Sequence, residues 1–252
     1  YDEASGVDPG WAEPLVRVGA LFLSKYDSQS AQTEFNKVLA LNPRHPAALL
    51  GLAEALEFDN APGASNVLNR LLEVNPNHAE ARALLAAQHL TREGHAEARA
   101  EAEKALGVNP NALVALTALA GSHMLAGDDA DFREVRSRAL TINPRYAALD
   151  ATLAELSVRT RRYAQAVTRA KAAIELDSAS WEAWGLLGLN ELRLGNIEVG
   201  NAHLERAFEG DPYNPWFKNT LDLLDTFERF ESISTEHFEL FLHGTESDLL
   251  AT

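Results

Sequence analysis

Residues 181–215 read WEAWGLLGLNELRLGNIEVGNAHLERAFEGDPYNP, and the fold can be read outward from them. Trp184, Leu187 and Gly188 lead one amphipathic stretch, and Leu204 and Ala207 lie on a second. Apolar residues three and four apart fall on one face of a helix. Gly195-Asn196 separates the two stretches, and Asp211-Pro212 closes the second, because the residue before proline is disfavoured in the helical region. The unit is therefore two helices and two turns.

The closing dipeptide recurs. Asp8-Pro9, Asn42-Pro43, Asn75-Pro76, Asn109-Pro110, Asn143-Pro144, Asp177-Ser178 and Asp211-Pro212 follow one another at spacings of 34, 33, 34, 34, 34 and 34 residues. Each interval repeats the two-helix reading. In the first, Leu15, Val18, Gly19 and Phe22 precede Ala31, Phe35 and Val38; in the second, Leu49, Leu52, Ala53 and Leu56 precede Ala64, Leu68 and Leu71. The inter-helix breaks carry Asp59-Asn60 with Pro62-Gly63, Gly94, and Gly127-Asp128, and a glycine just past a helix suits the left-handed cap. A fixed period of this length marks a solenoid, in which each helix pair buries its apolar face only against its neighbours.

The pattern resembles the tetratricopeptide repeat, which opens with Trp and Leu-Gly, follows with small Ala sites on both helices, and ends in Pro. Residues 181–213 match through Trp184, Leu187, Gly188, Leu204, Ala207 and Pro212, with Gly200 in place of an Ala. The middle repeats depart locally. Arg82 and Asp150 stand at the Trp site, Phe132 stands where a small residue belongs, and Ser178 replaces the closing proline. The resemblance covers residues 8 to 225 and implies an all-α, right-handed superhelical solenoid of six helix-turn-helix repeats. Small residues at the crossing sites let paired helices approach closely.

The expected organisation is a stub of an earlier repeat at 1–10, six repeats at 11–213, a capping helix at 214–229 and a strand-like tail at 230–252. The stub reading rests on Asp8-Pro9, and the cap on Asn214-Pro215-Trp216 opening a helix through about Glu228. In the tail, Phe238 to Leu242 alternate in the manner of a strand with nothing to pair with. The chain then reads as cut just inside a following domain. Its TEHF phrase resembles the opening strand of gluzincin-type, peptidase-MA-like domains that follow such repeats in some bacterial proteins. The HExxH helix of that class is absent from this sequence, so no metal residue is carried over.

Composition narrows function. The chain has 252 residues, 46% hydrophobic, with 37 acidic and 22 basic residues and a formal net charge of -15. An acidic surface repels phosphate backbones, which argues against a nucleic-acid partner. No apolar run reaches the length of a membrane span. There is no signal-peptide pattern at Tyr1 and there are no cysteines. The compartment stays open between bacterial cytoplasm and periplasm.

Catalytic and cofactor chemistry finds no foothold. Eight histidines form no HExxH and no i, i+4 pair. His89 and His123 hold matching sites in adjacent repeats and read as ring-sized fillers; His45 and His78, after Asn-Pro turns, read as exposed loop residues. No phosphate loop or nucleophile elbow is present. The expectation is no enzyme, no cofactor and no metal site.

The resemblance also implies a concave groove lined by the inward-facing sites of each first helix. Here these are Val16, Ala20, Leu23, Leu50, Glu54, Phe58, Ala83, Ala87, Leu90, Val114, Thr117, Gly121, Met124, Ala151, Glu155, Val158, Gly185, Leu189 and Leu192. The family's chaperone co-factors place Lys and Asn at two of these sites to clamp a C-terminal carboxylate. This chain has Val16 and Ala20, Leu50 and Glu54, Ala83 and Ala87, and Thr117 and Gly121 there, so no such clamp exists. A segment with apolar anchors and basic flanks suits the groove. The expected function is a protein-interaction scaffold. The alternatives are a non-catalytic arm of a larger enzyme, such as a metallopeptidase, with the groove covered by a C-terminal domain of the same chain, and a self-association module.

Overall fold

The computed structural model describes residues 11–234 and 236–245. The expected stub at 1–10 and the end of the tail at 246–252 lie outside the described residues. Thirteen α-helices fall among those described. Six antiparallel pairs follow in order: α1 Ala12–Ser24 with α2 Ser28–Leu41, α3 Pro46–Phe58 with α4 Ala64–Val74, and α5 Ala79–Thr91 with α6 His95–Val108. Then come α7 Leu113–Ala126 with α8 Asp129–Ile142, α9 Ala147–Arg159 with α10 Tyr163–Leu176, and α11 Trp181–Arg193 with α12 Ile197–Gly210. A single helix α13, Pro215–Thr226, ends the all-α solenoid, and a short 3-10 turn leads into a hairpin.

The Asn/Asp-Pro signal works through its side chain as much as through the proline. After each second helix the Asn or Asp Oδ1 accepts the N–H two residues on: Asn42 from Arg44, Asn75 from Asn77, Asn109 from Asn111, Asn143 from Arg145, Asp177 from Ala179 and Asp211 from Tyr213. This is an Asx-turn. Asp177 keeps the acceptor, so Ser178 can replace proline without losing the turn. His45 and His78 are half-buried rather than exposed: their Nδ1 atoms accept the Ala48 and Ala81 N–H at 3.3 Å each, capping α3 and α5.

Each inter-helix turn places a left-handed residue just after the first helix: Tyr26, Asn60, Glu93, Gly127, Arg161 and Gly195, with φ between 50° and 87°; the second repeat adds Gly63 at φ 107°. Only two of the six are glycine. In the third repeat the left-handed residue is Glu93 and not Gly94, whose φ is -80°.

Departures at the Trp site are compensated. Trp184 donates Nε1–H to the Ser178 carbonyl at 3.0 Å; Arg82 donates to the equivalent carbonyl, Pro76, at 2.7 and 3.0 Å and pairs with Glu101. Asp150 cannot donate. It is fully buried and gripped instead by Arg136 at 2.6 Å and Arg169 at 3.1 Å, with Arg169 also over the Phe132 ring at 5.1 Å. The two odd residues Phe132 and Asp150 thus belong to one arrangement.

The small-residue expectation holds at Gly188, where a Cβ would lie 2.8 Å from the Gly200 carbonyl oxygen. Curvature is tightest at the centre. Every residue of α7 from Ala115 to Leu125 is buried, and α5 reaches α9 across it. Leu90 and Leu156 meet there over Gly121: a Cβ at Gly121 would lie 3.0 Å from Leu90 Cδ1 and 2.7 Å from Leu156 Cδ1.

The tail forms a two-stranded antiparallel ribbon, β1 Phe230–Ser234 with β2 Glu239–His243, pairing Ile233 with Leu240. The expected lone strand has a partner because the polar turn at 236–237 lets the chain fold back. Leu223 and Phe227 stand exposed at the end of the array, and Phe227 meets Phe230 of the ribbon edge-on at 6.2 Å.

Candidate functional site

Winding this tight brings the two ends of the array together. In the turn after α1, Tyr26 donates its hydroxyl to Asp211 at the end of α12. Its ring meets Trp216 of α13 edge-on at 5.7 Å, and Phe58 of α3 packs against both rings, at 6.2 Å from Tyr26 and 5.5 Å from Trp216. Lys25 Nζ lies 4.0 Å over the Tyr213 ring. Burial and the Asp211 bond push the Tyr26 phenol up to about 12.

The concave face thereby becomes a chamber of about 680 Å3. Leu23 and Ser24 come from α1, Glu54, Glu57 and Phe58 from α3, and Leu84 from α5. Glu155 and Arg159 come from α9, Glu182, Leu186 and Leu189 from α11, and Trp216 and Phe217 from α13, with Tyr26 and Asn214 from the turns. Apolar wall and carboxylate are interleaved. Four glutamates face one arginine.

The chamber glutamates keep water contact on the open side but are walled by protein elsewhere, and low-dielectric surroundings disfavour charge. Burial, then repulsion from Glu182, pushes the Glu155 carboxyl up to about 7 against a partial offset from Arg159. Burial raises Glu54, with Glu80 adding to it, and burial alone raises Glu182.

Of the residues expected to line the groove, the chamber gathers Leu23, Glu54, Phe58, Glu155 and Leu189. Ala83, Leu90, Thr117, Met124 and Ala151 are buried between repeats, because α5, α7 and α9 converge over the centre of the face. Val16 and Leu50 pack half-buried on the core of the first two repeats, and Leu192 on that of the last. Ala87 and Val158 are half-buried, Ala20 is exposed and Val114 is half-exposed, all outside the chamber. Tyr26, Glu182, Arg159 and Trp216 join the lining although they are not among the residues expected to line the groove. Glu182 and Trp216 share the repeat position of Val114, whereas Tyr26 lies in a turn outside the first-helix pattern and reaches the chamber through total winding.

His123 shares a site with Asp128 and Asp131, their ligand-capable atoms lying within 4.8 Å of one another. Arg99 Nη2 already sits there, 3.3 Å from His123 Nδ1 and 3.1 Å from Asp128. A resident guanidinium makes this a structural ion cluster.

Models of the tetratricopeptide repeat match residues 22–87 and 152–215, together just over half of the chain. The chain belongs to the tetratricopeptide repeat family. No curated protein matches it. Among solved structures, the tetratricopeptide array resembles a repeat protein of Parabacteroides merdae ATCC 43184, 19% identical over 89% of each chain with a TM-score of 0.62. It resembles a chain of the APC/C hetero-tetramer Cut9–Hcn1 at 16% identity and a TM-score of 0.59, covering 88% of this chain but 44% of that one. PilF of Pseudomonas aeruginosa is 14% identical, over 86% of this chain and 99% of its own, with a TM-score of 0.54. At these identities the likeness shows the fold. A tetratricopeptide array is in general terms a protein-interaction scaffold and typically non-catalytic, and no helix among the described residues is long and apolar enough to cross a membrane.

Proposed function

We propose that the concave chamber of this tetratricopeptide array receives a segment of another protein through apolar anchors. The observation that carries the reading is the chamber itself: Leu23, Leu84, Leu186, Leu189 and Trp216 line one half-open concavity that the described residues leave unfilled. Concave apolar walls with a few placed polar groups are the usual form of a binding site. Helical or extended segments enter such grooves by burying alternate apolar side chains.

Selection of binders from a displayed random peptide library tests this. Selected peptides carry apolar anchors, and Leu189→Glu weakens them about tenfold or more, as loss of a central anchor site does. Thr168→Glu, at an exposed position of α10, leaves them unchanged. Binders indifferent to Leu189→Glu contradict the reading.

The ribbon favours a second contact. Phe230, Leu240 and Phe241 are exposed on its two faces, and an isolated hairpin is marginal in water. This suits a docking arm for a neighbouring folded domain. Leu240→Ser with Phe241→Ser removes that docking and spares peptide binding in the chamber; loss of both functions together contradicts a separate role.

A further inference from the structure

We infer that the chamber is selective for a basic side chain: a lysine or arginine of the partner segment places its charged head among Glu54, Glu155 and Glu182 and its alkyl stem along Leu186 and Leu189. The inference rests on the chamber being the binding face and adds the chemistry of what enters it.

Charge complementarity carries it. The glutamates arrive from three separate helices, Glu54 and Glu57 from α3, Glu155 from α9 and Glu182 from α11, and the one cation in the lining is Arg159 of α9. Carboxyl groups therefore outnumber the one cation in a half-open concavity, where an incoming cation favours their ionised form and is drawn in. Long basic side chains suit such a space because their stems lie on apolar surface while the head seeks charge. Rings also line it: Phe58 and Trp216, 5.5 Å apart, stand with Tyr26 in the lining, and aromatic rings attract ammonium and guanidinium groups.

A small divalent ion fits less well. Among the described residues the only group that gathers three ligand-capable atoms within 4.8 Å is that of His123, outside the chamber. The chamber glutamates are spread more widely, as for a bulky organic cation. Their resistance to ionisation, greatest at Glu155, agrees: burial opposes charge at all three, Glu182 adds repulsion at Glu155, and an incoming cation offsets both.

The experiment repeats the peptide selection, at physiological ionic strength, on the wild-type protein, on Glu155→Gln/Glu182→Gln, and on Glu198→Gln/Glu205→Gln, whose sites are exposed on α12. Wild-type and α12-variant selections are expected to be enriched in Lys and Arg and depleted in Asp and Glu. The chamber double variant should keep apolar anchors and lose the basic enrichment. For the strongest wild-type binder, Lys→Gln in the peptide should weaken binding about tenfold on wild type and little on the chamber variant. Should the double variant not fold, Glu54→Gln takes its place. Binders with apolar anchors and no basic enrichment overturn this inference and leave the chamber reading standing. Enrichment that persists in the chamber variant, or vanishes equally in the α12 variant, also overturns it. Failure to select any peptide overturns both.

Discussion

Tyr26 and Asp211, 185 residues apart, share a hydrogen bond that joins the first turn of the array to its last. Tyr26 makes it from a left-handed backbone conformation, φ 64°, which is uncommon for a residue with a Cβ and turns up where surroundings hold it. Closure follows from curvature that small inner residues permit, and the aromatic contacts fix it. The sequence has no cysteine, so nitroxides at Lys25→Cys and Tyr213→Cys report closure without background. Strong dipolar broadening is expected, and Tyr26→Ala should reduce it. A hydrogen bond to a charged group contributes about 1.5–3 kcal/mol, so Tyr26→Phe should loosen the contact toward the low end, given its partial exposure.

Glu155 sets a pH dependence. Its carboxyl titrates near 7 in the folded chain against an ordinary 4.5. Between those values the folded state holds a proton the unfolded state has released, so stability falls as pH rises across the window and levels off above it. Glu54 and Glu182, also raised, act in the same direction. Urea melts of wild type and Glu155→Gln should converge near pH 4.5 and diverge toward pH 7, with the variant the more stable there. Parallel curves contradict the assignment.

Asp150→Ala leaves Arg136 and Arg169 facing a buried void, and Arg169 Nε already has no partner. Breaking a buried ion pair from one side costs about 3–5 kcal/mol. The low end is expected because both arginines reach water. Equilibrium denaturation measures it.

Gly121→Val drives a wedge between Leu90 and Leu156. Overpacking of this kind costs about 1–3 kcal/mol. The same variant should weaken the spin-label broadening between positions 25 and 213, since curvature at the centre positions the ends. Lost stability with unchanged broadening would separate the two.

The repeat was legible because each Asn/Asp turn and each small crossing residue acts within one period. Asp177 without its proline and Arg82 in place of Trp looked like defects; the structure shows that each keeps the essential acceptor or donor. The glutamates Glu54 and Glu155 were legible as inward-facing sites. Glu182 and Trp216 share the repeat position of Val114, 68 and 102 residues on, and were legible in the same way; Tyr26 was not, since it lies in a turn and its meeting with Asp211 depends on winding summed over six repeats, which no local spacing encodes. Ala83, Thr117 and Met124 face the groove side by the pattern yet are buried, since the pattern tells which side a residue faces and is silent on whether that side closes.

Cysteine footprinting tests the central claim, that partner segments lie inside the chamber, most directly. Ser24 lines it and Thr168 is exposed outside it. With a selected peptide bound, alkylation of Ser24→Cys should slow strongly while that of Thr168→Cys is unchanged. Unaltered alkylation of Ser24→Cys at saturating peptide would place the binding face elsewhere and contradict the account.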